Sequence, residues 1–105
     1  MSSKPKKRSP RRLMYVENKS GTIEGVKARI GWVEFSKTGQ TLYYRGLMLQ
    51  KGTVPRGNCF DVVSSDVYWV ADVKTRGLNA RDEESEAAIE VDPDALDEYQ
   101  RLKAE

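Results

Sequence analysis

The side chains best suited to recognition are Tyr43, Tyr44 and Arg45, which stand together before Gly46 in the segment TLYYRGLMLQ, residues 41–50. Exposed rings beside a guanidinium can stack on planar or apolar partner groups and pair with anions. A second feature is the run MSSKPKKRSPRR, in which Lys4, Lys6, Lys7, Arg8, Arg11 and Arg12 occur without an acid. Such cations neutralise phosphates and release counterions, so these six are candidate nucleic-acid contacts. Catalytic chemistry is poorly provided for. With no histidine and one cysteine, Cys59, the chain cannot build Ser-His-Asp or Cys-His machinery, nor a zinc site of His and Cys ligands.

Other patterns fail on their chemistry. The GTVPRGNC stretch, residues 52–59, spaces Gly52 and Gly57 like a phosphate loop, but Asn58 stands where the lysine is needed and Cys59 where Ser or Thr would bind metal. The carboxylates between residues 82 and 98 lack the alternating Asp pattern of a calcium loop and read as a solvated acidic face. Cys59, before Phe60 at the start of an apolar segment, reads as a buried and inert thiol. Asn18-Lys19-Ser20 matches a glycosylation sequon, which matters only in a secreted protein. No catalytic residue, metal ligand or cofactor is expected.

The elements that position these residues are mainly strands. Residues 1–12 hold prolines, serines and cations and no large apolar residue beyond Met1, so they are expected to be a disordered arm. A single β-rich domain is expected over residues 13–105. Its strand candidates are LMYVE (13–17), VKARIGWVEFS (26–36), the returning segment 41–50, and the CFDVV/VYWVADV hairpin around Ser64-Ser65-Asp66. KGTVPRGN (51–58) reads as a loop and residues 74–86 as a long polar connection. AAIEV could add an edge strand. Five to six short strands at this spacing predict a small curled antiparallel sheet or SH3-like barrel.

The chain then predicts a C-terminal helix over residues 93–104. Asp92 is expected as its N-cap through the side chain, and Pro93 suits the first helical position. Ala95, Leu96, Tyr99 and Leu102 recur on one face, which should pack across an open end or face of the sheet.

The hairpin carrying the tyrosines allows two registers. A two- or four-residue loop pairs Phe35 with Leu42 and Val33 with Tyr44; a three-residue loop pairs Phe35 with Thr41 and Trp32 with Tyr44. Leu42, Tyr44, Leu47 and Leu49 share one face only if the strand gains a residue, and a bulge at Arg45-Gly46 is expected to supply it. That places Tyr43 and Arg45 outward. With Trp32, or with Trp69 in its stead, they form the candidate binding surface.

Charge is strongly segregated. Residues 13–81 hold ten basic and six acidic side chains, whereas residues 82–105 hold two and ten. The folded part is therefore net negative, which disfavours duplex binding and favours a protein partner. No apolar run is long enough to span a membrane, so no membrane partner is expected, and a cytoplasmic protein is.

ARIGWVEFSKTGQTLYYRG (28–46) and NCFDVVSSDVYWVADVKTRG (58–77) resemble a family of short uncharacterised bacterial proteins. Its pattern runs A-R-I-G-x-V-x-F-S-K-T-G-x-T-L-Y-Y-R-G, then an F-D-V hairpin with Y-W, a basic loop and a closing I-x-x-D…E-Y segment. Here these fall on Ala28 to Gly46, Phe60 to Val62, Tyr68-Trp69, Lys74 to Gly77, and Ile89, Asp92, Glu98 and Tyr99. The chain departs from it at Ser64-Ser65, where a glycine-containing turn is usual, and at Cys59, where an aromatic is common. Some members carry the name of a deoxyxylulose-phosphate synthase. That activity does not transfer, because a thiamine-diphosphate enzyme needs large domains and catalytic histidines. The resemblance implies kinship of fold and no activity. The expected function is thus a non-enzymatic interaction module that binds a protein, with nucleic-acid binding through the basic arm as the alternative.

Overall fold

The computed structural model describes residues 11–20 and 26–104. Six strands, β1 (Arg11–Asn18), β2 (Ala28–Phe35), β3 (Thr41–Tyr44), β4 (Leu47–Val54), β5 (Gly57–Asp61) and β6 (Val67–Asp72), follow one another as an antiparallel meander. β1 pairs with both β6 and β2, so the meander closes into a barrel. Closure removes the unpaired strand edges that an open sheet of this size would expose.

Alternation decides which side chains fill the barrel. Met14 and Val16 of β1, Val33 of β2, Leu42 and Tyr44 of β3, Leu49 of β4, Cys59 of β5, and Tyr68 and Val70 of β6 point inward and form one core. Cys59 is buried as expected, and that burial raises its thiol pKa.

A second layer lies outside the wall. After β6 the chain forms a short helix, α1 (Glu83–Ala87), then β7 (Glu90–Val91), a 3-10 turn (Pro93–Ala95) and α2 (Leu96–Ala104). β7 adds to β2 in parallel, with Ile30 opposite Val91. Leu13, Tyr15, Ile30 and Ala95 form the buried centre of this layer, joined by Trp32, Ile89, Val91, Tyr99 and Leu102. The helical face expected to be apolar thus packs on the outer face of β1 and β2, but Leu96 is exposed.

Several expectations need correction. Arg11 and Arg12 are not part of a disordered arm: they open β1, where Arg12 Nη2 lies 2.8 Å from Asp72 Oδ1. Lys4, Lys6, Lys7 and Arg8 lie outside the described residues. Segment 41–50 is not one bulged strand but a hairpin, with Tyr44 opposite Leu47 across a two-residue turn. Arg45 and Gly46 both have positive φ, 48° and 83°, as the tight turn matching strand twist requires. A two-residue turn and a one-residue bulge leave the same residues facing inward, so face counting cannot separate them. The register with Phe35 opposite Leu42 is the one found.

The expected loop 51–58 is instead strand up to Val54 and again from Gly57, joined at Pro55-Arg56. β5 ends at Asp61, and Val62 and Val63 belong to the turn: Asp61 Oδ1 accepts from the Val63 N–H at 2.8 Å. Ser65 has φ 69°, a left-handed conformation that glycine adopts more readily. The polar connection contains α1, and Glu86 Oε1 accepts from the Asn79 and Ala80 N–H groups at 2.7 and 2.8 Å. Asn18 of the sequon is buried.

Candidate functional site

The bare part of the barrel wall faces outward from β2, β3 and β4. Residues directly opposite one another on neighbouring strands share a face. Arg11 pairs with Glu34, Glu34 with Tyr43 and Tyr43 with Met48, and the Val62 N–H donates to the Met48 carbonyl at 3.1 Å. This sets Arg11, Glu34, Tyr43, Met48 and Val62 in one row across the wall. Tyr43 is 39% exposed, Met48 and Val62 44% each, and Val63, in the turn that follows, 88%.

The structure brings the predicted surface residues together. Trp32, Tyr43 and Arg45 line one shallow depression of about 370 Å³, which Arg11, Met48 and Asp94 also border. Arg11 joins it from the supposed arm, its guanidinium 4.4 Å from the Trp32 ring centroid. Trp32 is only half available for contact: Nε1–H donates to the Asp94 carbonyl at 3.0 Å and the ring packs in the outer layer. Met48, Val62 and Val63 were not among the predicted site residues. Alternation from Leu47 and Leu49 implies an outward Met48, but Val62-Val63 reads as strand because β-branched residues favour it.

Beneath the depression lies a buried carboxylate. β2 pairs with β3 only near Glu34 and Phe35, and the opening left between β2 and β3 receives β7 and Asp92. The Asp92 N–H donates to the Ile30 carbonyl at 2.8 Å. Asp92 Oδ2 accepts from the Tyr44 hydroxyl at 2.6 Å, while Oδ1 faces Arg45 Nη1 at 3.4 Å and Arg29 Nη1 at 3.5 Å. Burial, then the bond to Asp92, pushes the Tyr44 hydroxyl pKa well up. Asp92 therefore does not cap the helix with its side chain, as the sequence suggests; the carboxylate instead seals a seam in the wall.

Gly31 makes room for it. A Cβ there would collide with Asp92 Oδ2 and lie 2.9 Å from Tyr44 Cε1. A glycine inside a strand pattern signals such a close approach, but nothing in the local sequence identifies the approaching group. The arrangement is that of a structural tie, with Arg45 bridging the seam and the outer depression. Among the described residues, no three His, Cys, Asp or Glu side chains gather as a group able to hold a metal ion. No helix of the described residues is long and apolar enough to cross a membrane.

No protein-family model, curated protein or solved structure matches this chain.

Proposed function

We propose that this chain is a small non-enzymatic interaction module that docks a protein partner on the outer row of β2, β3 and β4. One observation carries the reading: of the six large apolar side chains exposed among the described residues, three, Tyr43, Met48 and Val62, lie together on one face. Isolated exposed apolar residues are ordinary, whereas a contiguous group rimmed by polar side chains marks an interaction surface. Arg11 and Arg45 border the row, and the residues before Arg11 add Lys4, Lys6, Lys7 and Arg8 in sequence. The fitting partner presents apolar side chains for Tyr43 and Met48 beside an acidic stretch.

The resemblance to short bacterial proteins stands as part of this proposal. Its support is that Arg29, Gly31, Tyr44, Arg45 and Asp92, scattered through the shared pattern, meet at a single seam. This is kinship of architecture and carries no activity.

The test compares native-extract capture by the full chain and by a Tyr43→Ala/Met48→Lys variant, each with and without nuclease, followed by affinity measurement with the purified captured protein. The reading expects a nuclease-resistant partner whose affinity falls at least about tenfold in the variant, as loss of a central aromatic contact usually causes. Capture that the variant leaves unchanged, or that nuclease abolishes, overturns it.

A further inference from the structure

The row leaves Trp69 unused. Trp69 stands on the outer face of β6, directly opposite Glu17 of β1, and is 40% exposed. It forms a wall of a cavity of about 500 Å³ whose rim carries Lys19, Arg56, Lys74 and Arg81. That volume lies within the range of small-molecule sites. Among the described residues Glu17 is the single carboxylate of the lining, and it is already engaged: it accepts from the Tyr15 hydroxyl at 2.7 Å and pairs with Lys19 Nζ at 3.3 Å. Arg81 Nε lies 3.8 Å from Asp82, outside the lining. Among the described residues neither Arg56 nor Lys74 is ion-paired.

The rim is held in place by the fold. Arg56 occupies the turn between β4 and β5 at φ 69°, a conformation that disfavours non-glycine residues yet directs this one toward the cavity. The Lys74 N–H donates to Asn79 Oδ1 at 2.7 Å, and Asn79 in turn is fixed by Glu86. An exposed indole ringed by excess positive charge suits a ligand that has both a flat ring and an anionic group. Stacking on an aromatic side chain and phosphate neutralisation are the two devices of sequence-tolerant nucleotide recognition.

We propose that this cavity binds a nucleotide unit, its base stacked on Trp69 and its phosphate held by Arg56 and Lys74, with Lys19 and Arg81 adding positive field. The unit comes from a free nucleotide or from a single strand. The site shares no residue with the protein-docking row, so either can fail without the other.

Calorimetric titration of the full-length chain with AMP, a deoxyadenosine hexamer and inorganic phosphate tests this. AMP and the hexamer are expected to bind, and Trp69→Ala to weaken both by roughly tenfold, in keeping with the cost of losing one stacked base. Arg56→Gly suits the left-handed backbone and preserves the fold. Combined with Lys74→Ala, it is expected to reduce affinity and to flatten the hexamer's log–log salt slope by about 0.7 per lost phosphate contact. A hexamer that binds more tightly than AMP identifies a strand as the source, and equal affinities identify a free nucleotide. Hexamer binding that survives both variants unchanged belongs to the N-terminal cations and overturns the proposal. Phosphate binding as tightly as AMP removes any role for Trp69 and also overturns it, as does absence of binding by both nucleotide probes.

Discussion

The two halves of the barrel wall share a backbone pattern and differ in what covers them. On β1 and β2 the outward residues Leu13, Tyr15 and Ile30 are buried under β7 and the C-terminal helical segment. On β3 and β4 the outward residues Tyr43 and Met48 meet no second layer among the described residues and remain exposed. The inward residues of both halves are alike, since they fill one core. The difference teaches that exposure of an aromatic in this fold is set by whether the chain returns to that part of the wall. Tyr43 and Tyr44 show it most sharply: neighbours in sequence, one is outward and bare, the other inward with its hydroxyl bonded to Asp92.

If the covered half depends on the seam, the largest effect comes from Asp92→Ala. It leaves the Tyr44 hydroxyl without its acceptor and Arg29 beside an empty position. A loss of about 3 kcal/mol is expected, the scale of breaking a buried charged contact. Chemical denaturation measures it, and limited proteolysis should show cleavage first within residues 82–104. Loss below about 0.5 kcal/mol, the range of ordinary surface substitutions, would reduce the seam to a passive contact.

Alkaline pH probes both layers. Burial, reinforced by acceptor carboxylates, raises the Tyr15 and Tyr44 pKa above that of a free tyrosine. Their contribution to stability is complete below the unfolded value near 10 and is lost as the pH rises beyond it, because the unfolded chain then releases protons that the folded chain retains. Denaturant midpoints should fall above about pH 10, and phenolate absorbance should rise with unfolding for these two residues. Tyr44→Phe should make the fall shallower.

The smallest effect belongs to the bare half. Tyr43→Ala/Met48→Lys should change stability by no more than about 1 kcal/mol, since each is an exposed position away from the core and costs only a few tenths. A larger loss would mean that the row supports the fold and is not free for a partner.

The architecture was largely legible. Alternation in TLYY and VYWVAD marks a wall with one buried face, and the continuous apolar run LMYV in β1 reflects burial on both faces. Within the candidate surface, the outward position of Tyr43 was legible from face counting, whereas Arg45 reaches solvent from a turn and Trp32 packs partly in the outer layer. The hairpin turn was not legible, since Arg45 is an unfavourable residue for φ 48° and its identity advertises no turn. Asp92 misled for a related reason: an aspartate before proline carries the local signal of a helix cap, and that signal is silent about a hydroxyl 48 positions away.

By itself, then, the sequence determined the class of fold, the inward side chains of the segment 41–50, the terminal helix and the separation of charge, because periodicity, turn residues and composition act locally. Only the tertiary structure decided which half of the wall is covered, which carboxylate closes the seam, and that Trp69 meets Arg56 and Lys74 at one cavity. These depend on contacts between distant segments, and no local preference of the chain encodes where those segments meet.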